Sequence, residues 1–128
     1  MIVLWNSSAM NCTMVLIMDG QEFRYEWQAD RDLARDMHAY LRDKIGEHGK
    51  LIRDIEGIGV YRGPGSFTGL RIGLVVLNTI ADTLKVPIVG VVGADWEQKA
   101  RERLGNHEND MIVLPIYGAE ANITQPRK

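Results

Sequence analysis

The period of the apolar residues is that of strands up to Gln28 and then switches between helix and strand, and that order limits the folds open to this chain. As far as Gln28 the pattern is that of strands. Met1 to Asn6 is apolar and β-prone, and Thr13 to Met18 (TMVLIM) is a second short apolar run. Asp19-Gly20 then gives a tight-turn signal, and Gln21 to Trp27 alternates Phe23, Tyr25 and Trp27 onto one face. Two such runs around Asp-Gly predict a hairpin. From Asp30, a candidate N-cap, the spacing becomes four: Leu33, Met37, Leu41 and Ile45, with Ala34, Tyr40 and His48 widening the stripe. This predicts an amphipathic helix, with Gly49 suited to its stop.

Strand and helix then alternate. Ile55 to Tyr61 reads as a buried strand, Thr68 to Lys85 as a helix and Pro87 to Val92 as a short strand. Asp95 is a candidate cap for a helix from Trp96 to about Leu104, and Met111 to Leu114 is a candidate last strand. One domain is expected over residues 1–117, with an irregular tail over 118–128. An antiparallel meander comes first, and later strands arrive through helical crossovers. The order βββαβαβα therefore predicts an α/β fold, a mixed sheet with helices on its faces. It is the order of an RNase H-like domain, the unit duplicated in actin-like ATPases.

Composition removes several function classes. The chain is 45% hydrophobic and 25% charged, unlike a disordered segment. Its apolar runs are short and broken by charges or Gly, so no membrane span is expected. No signal peptide is legible at Met1-Ile2-Val3-Leu4-Trp5, and the single Cys12 allows no intrachain disulfide, so a cytoplasmic location is expected. Net charge is -2, with Lys and Arg mixed among Asp and Glu. Contact with a nucleic acid would then come only through a partner. His38, His48 and His107 lie in no metal-ligand spacing, so no metal is expected. Cys12 reads as packing or turn, and Trp5, Trp27 and Trp96 as core or rim. Three Asn-x-Ser/Thr triplets, at Asn6, Asn11 and Asn122, read as chance.

The most informative stretch is Arg62-Gly63-Pro64-Gly65-Ser66-Phe67-Thr68-Gly69-Leu70-Arg71-Ile72-Gly73. A buried strand ends there, a loop turns and a helix begins. Gly63 and Gly65 permit close approaches, Ser66 or Thr68 can cap the helix, and its first N–H groups suit an anion. The loop is neither a P-loop nor a dinucleotide fingerprint. On physical grounds, a tight turn without ligand and an anion site both stay open.

The wording of this stretch resembles the signature of the TsaB family, also called YeaZ. Leu51-Ile52-Arg53-Asp54-Ile55 and Val86-Pro87-Ile88-Val89-Gly90-Val91 are also similar to that family. The resemblance implies an actin-like half that lacks catalytic apparatus and cofactor. It implies a heterodimer with a TsaD-like ATPase, which transfers threonylcarbamate to adenosine in tRNA, and a TsaE-like ATPase as a further partner. Family members carry Ile-Asp-Thr-Ser where Trp5-Asn6-Ser7-Ser8 stand here. The aspartate helps hold a metal-nucleotide in actin-like ATPases. Asn6 has no charge to attract Mg²⁺ and reads as a polar turn residue. The family has two halves and this chain has the length of one, so closure around ATP is not expected. Catalytic residues are therefore expected to be absent.

The helix over 68–85 carries two apolar stripes. Leu70, Leu74, Leu77, Ala81 and Leu84 are assigned to the sheet, and Arg71, Asn78, Asp82 and Lys85 to a polar side. Ile72, Val76, Thr79 and Thr83 form a flatter stripe suited to helix-on-helix packing. The family pairs through its first two helices, which makes this stripe the expected interface, to a TsaD-like protein or to a second copy. Val76→Glu is expected to break association while the domain stays folded. The competing expectation is a minimal ATP-binding or phosphotransfer protein of the actin-like class, using the glycine loop. No nucleophile constellation supports a peptidase.

Overall fold

A computed structural model of the protein describes residues 1–116, apart from the side chains of Asp30 and Phe67. β1 (Ile2–Asn6), β2 (Asn11–Met18) and β3 (Gln21–Gln28) form an antiparallel meander. Asp19 and Gly20 turn the hairpin with φ of 52° and 76°, the primed geometry whose twist matches its strands. α1 (Leu33–Gly46) follows a single 3-10 turn over Asp30–Asp32. Asp30 thus opens this tighter turn, and Asp32 occupies the cap position of the α-helix. Gly49 ends the helix as its sequence suggests. The Lys50 N–H reaches the Ile45 carbonyl at 3.3 Å and the Gly49 N–H reaches that of Gly46 at 3.0 Å, a pairing that needs a left-handed residue. β4 (Gly57–Tyr61), α2 (Phe67–Leu84), β5 (Ile88–Val91) and α3 (Trp96–Gly105) complete the order.

Among the described residues the sheet has five strands in the order β3-β2-β1-β4-β5. β1 runs parallel to β4, and β4 to β5. This is the mixed sheet of an RNase H-like domain. Alternation puts Val3 and Trp5 of β1 under α1 and α2, and Leu4 under α3. α1 supplies Leu33, Met37, Leu41 and Ile45 to the first layer, and α2 supplies Leu70, Leu74, Leu77 and Ala81. Ile80 also joins this core, although it belongs to neither apolar stripe of the sequence, while Leu84 is only half-buried. On the opposite face, Trp96 and Ala100 of α3 pack with Leu4, Val15, Val89 and Val91. Phe23, Tyr25 and Trp27 lean toward α1, where Trp27 stacks on Tyr40 at 4.2 Å and Phe23 meets His48 at 4.3 Å.

The expected strand at Met111 to Leu114 does not form. Residues 106–116 instead make an irregular strap along the outer edge of β5. Asn109 Oδ1 accepts from the Ile88 N–H at 3.1 Å, and Asp110 Oδ2 accepts from the Gly90 N–H at 2.8 Å. The Asp110 N–H donates to the Ile88 carbonyl at 2.8 Å, and Arg103 donates to the Gly90 carbonyl at 3.0 Å. Asn and Asp side chains here take the place of a strand's backbone. Met111, at φ 70°, also breaks any extended run. Asp95 precedes α3 but does not cap it through its side chain, which pairs with Lys99 Nζ at 3.2 Å. The expected tail over 118–128 lies outside the described residues.

Candidate functional site: the glycine loop and the groove between α1 and α2

The signature residues do not converge on one pocket. They divide three ways, each toward a different neighbour.

Arg62 and Gly63 face the strap. The Arg62 N–H continues the ladder to the Val91 carbonyl at 2.9 Å, and its Nε donates to the Leu114 carbonyl at 2.9 Å. Its own carbonyl accepts from the Ile116 N–H at 2.8 Å. Gly63 takes φ 125°, and a Cβ there would lie 2.1 Å from the Ile116 carbonyl oxygen.

Gly65, Ser66 and Gly69 face the turn after β1. The Ser66 N–H donates to the Ser8 carbonyl at 2.7 Å. Ser7 Oγ, buried, donates to the Gly69 carbonyl at 2.8 Å and accepts from Trp5 Nε1 at 2.9 Å. A Cβ on Gly65 would lie 2.5 Å from Ser8 Cβ, and one on Gly69 would lie 2.3 Å from the Ser7 carbonyl oxygen. The space directly against the α-carbons of Gly65 and Gly69 is filled by Ser8 and Ser7. Ser66 stands at the cap position of α2, yet its hydroxyl makes no cap bond, and Thr68 already lies inside the helix. The capping role read from the sequence is therefore corrected. The N–H of Ser66 is spent on Ser8, and this clasp fixes the entry of α2. Asn6 Oδ1 accepts from the Ser8 N–H at 2.9 Å, the polar-turn role its type suggests. A neutral amide engaged in its own turn, beside glycines packed on protein, does not fit a metal-nucleotide.

Thr68 and Arg71 face outward, onto the groove between α1 and α2. Pro64, also exposed, accepts at its carbonyl from the Tyr61 hydroxyl at 3.0 Å. α2 begins at Phe67. Two adjoining depressions, of about 340 and 430 Å³, run along the groove. Ala34, Thr68, Arg71 and Ile72 line the first, and His38, Ile52, Thr79, Ile80 and Thr83 the second. Val75 and Val76 line both. All four residues of the expected interface stripe, Ile72, Val76, Thr79 and Thr83, thus lie in this groove. Ile72 and Val76 are half-buried against the core, whereas Thr79 and Thr83 are exposed. Sequence reasoning missed Val75, which is 64% exposed at the centre. Its position between Ile72 and Thr79 on the helical period was the available signal.

Sequence reasoning also missed Asn78, assigned to a solvent side. Its amide grips the strap at Val113, which is buried. A lone amide in an apolar helix was the only hint. The strap's ionic anchor is Asp110. Partial burial pushes its carboxyl up, but Arg103 and the Gly90 N–H outweigh this and hold it below the usual carboxylate range. Arg103 pairs with both Asp110 and Glu108, the latter at 2.6 Å. Burial, aided by Glu26, pushes the Cys12 thiol up to about 11, so Cys12 is packing and not a nucleophile at neutral pH.

The fold and this clasp define an RNase H-like half of the actin-like class, with its glycine loop used for packing. A sequence model of the family described as "TsaD: tRNA N6-adenosine threonylcarbamoyltransferase" matches residues 27–103, more than half of the chain. The chain belongs to this family, as a TsaB (YeaZ)-type member. The tRNA threonylcarbamoyladenosine biosynthesis protein TsaB of Escherichia coli is 30% identical over 80 residues, covering 62% of this chain and 35% of that protein. The TsaB of Haemophilus influenzae is 22% identical over 120 residues, covering 94% and 51%. A tRNA N6-adenosine threonylcarbamoyltransferase of Syntrophus aciditrophicus is 46% identical over 82 residues, covering 62% and 24%. The structure of YeaZ from Pseudomonas aeruginosa matches with a TM-score of 0.68 at 28% identity, covering 81% of this chain and 49% of that one. The chain thus spans about half the length, or less, of these relatives.

Proposed function

We propose that this chain is a non-catalytic subunit in the biosynthesis of threonylcarbamoyladenosine in tRNA, and that it pairs with a TsaD-like ATPase. Pairing is through the groove between α1 and α2, and tRNA is met only through that partner. The observation that carries this reading is the exposed Val75 at the centre of an apolar groove, flanked by Ile72 and Val76. A valine this exposed amid other apolar groups gains most from being covered by another apolar surface. Packing of Gly65 and Gly69 on Ser8 and Ser7 supports the absence of nucleotide chemistry in the loop. The reading as a minimal ATP-binding protein has no such support.

The test is co-expression of the tagged chain with a TsaD-like protein. The two are expected to co-purify and to elute as one complex in size-exclusion chromatography. Separate elution at micromolar concentration of each would overturn the pairing. Calorimetric detection of tight Mg-ATP binding by the isolated chain would overturn its catalytic silence.

A further inference from the structure

We propose that β3 is a contact by which two copies of this chain associate, edge to edge and antiparallel, about a two-fold axis through Tyr25. This surface shares no residue with the groove, and the inference does not rest on the pairing proposed above.

The two edges of the sheet are treated differently. On β5, the strap and Arg103 occupy the outward N–H and carbonyl groups of Ile88 and Gly90. Among the described residues, no strand lies beyond β3 at the other end. Its pairing with β2 runs without a skip from Asn11↔Gln28 to Met18↔Gln21, so no bulge bends it away. Gln21 to Gln28 contains no Pro and no Lys. Bulges, Pro and Lys are among the devices that blunt an edge strand. The charges that β3 does carry, Glu22, Arg24 and Glu26, are of both signs, and Phe, Tyr and Trp are strong strand formers.

Charge selects the occupant. Side chains opposite one another across an antiparallel pair must share a face of the sheet, so a two-fold axis passes through a residue of β3. Centred on Tyr25, the pairing sets Arg24 opposite Glu26 of the second copy, and symmetry repeats the pair. Phe23 then lies opposite Trp27, Tyr25 opposite itself and Glu22 opposite Gln28. Opposite charges and aromatic pairs are the favourable cross-strand neighbours. Centring on Arg24 would oppose that residue to itself and Glu22 to Glu26. Centring on Glu26 would oppose two carboxylates. Centring on Phe23 avoids like charges but joins only residues 21–25. The Tyr25 register alone joins residues 22–28 without a like-charge pair. Arg24 already bridges to Glu97 at 2.5 Å, with its side chain still 47% exposed. A guanidinium has five donors and can serve both carboxylates. Phe23, Tyr25 and Trp27 are each half-buried and have apolar surface left to cover.

The test is sedimentation velocity on the full chain over a concentration series, with three variants. The wild type is expected to show a monomer–dimer equilibrium. Arg24→Glu and Glu26→Arg each create two like-charge pairs and are expected to weaken the dimer at least about tenfold. An equimolar mixture of the two single variants restores opposite charges across the axis, as does the double variant, and both are expected to regain the dimer. Should Arg24→Glu unfold on losing Glu97, as read by circular dichroism, Glu26→Arg, which keeps Arg24 and its bridge, still decides. A wild type that stays monomeric at high concentration would overturn the proposal. So would single variants that dimerise normally, or a folded double variant that fails to recover the dimer. A dimer lost in Val75→Glu but kept in Arg24→Glu would place the contact in the groove instead, which also overturns it.

Discussion

Asn78 holds the backbone of Val113 with both ends of its amide: Nδ2 donates to the carbonyl at 2.9 Å, and Oδ1 accepts from the N–H at 2.9 Å. α2 thereby reads the strap as a neighbouring strand would. Asn78→Ala removes both bonds and leaves a partly buried peptide unpaired. A loss of about 1–3 kcal/mol is expected in urea denaturation. Amide exchange at Val113 should accelerate more than exchange in β1. Equal acceleration everywhere would mean that the strap does not open separately.

The glycine clasp gives a contrast within one chain. Gly69→Ala places a Cβ against the Ser7 carbonyl oxygen, which belongs to rigid backbone. A cost of about 1–3 kcal/mol is expected, as for other overpacked sites. Gly46→Ala, at the end of α1 with nothing within 4 Å of its new methyl, should instead stabilise by up to about 1 kcal/mol. Thermal melts of the two variants should move in opposite directions. A neutral Gly69→Ala would return the loop to the reading as a ligand site.

Val75→Glu should leave the far-ultraviolet spectrum and melting temperature almost unchanged, since the position is mostly exposed. It should reduce association with a TsaD-like partner by an order of magnitude or more, the effect of a charge desolvated at the centre of an interface. It tests the groove more cleanly than Val76→Glu, because Val76 also packs against the core. Unchanged binding in a chromatographic titration would move the interface elsewhere.

Acid should loosen the strap. The folded-state carboxyl of Asp110 lies below its ordinary value of 3.8. A depressed carboxylate contributes stability above its unfolded value, and this is lost as pH falls through the folded value. Asp110→Asn should therefore be less stable than wild type at neutral pH. The difference should shrink as the pH drops below 3.8. A gap that is constant with pH would assign the effect to hydrogen bonding alone.

Cys12 should react slowly with a thiol reagent in the native protein and rapidly in denaturant. The residue is 2% exposed, and burial pushes its thiol up to about 11. Fast native labelling would mean that the turn from Ser7 to Cys12 opens readily.

Much of this fold was legible because its signals are local. Asp19-Gly20 sets its own turn, Gly49 its own helix end, and the four-residue spacing of α1 its own buried face. The strap was not legible. Met111 to Leu114 is as apolar as a strand, but the positive φ at Met111 and side-chain bonds from Asn109, Asp110, Asn78 and Arg62 hold it as an irregular segment. The glycine loop was legible as a landmark and not as a mechanism. Its partners, Ser7 and Ser8, lie some sixty residues away in sequence, as does Gly69 from Ser7. The groove was half legible. The stripe from Ile72 to Thr83 could be read from its period, but the prominence of Val75 depends on how α1 crosses α2.

The strap's hold on β5 also bears on how far assembly can proceed. A sheet with two receptive edges can add copies at both ends and grow without limit, as fibrils do. Here Ile88 and Gly90 are satisfied by an amide, a carboxylate, a guanidinium and one turn of irregular backbone. None of these offers a repeating ladder to an incoming strand. Among the described residues, a pair joined at β3 would therefore present only occupied β5 edges at its two ends, and growth by edge pairing would stop at two.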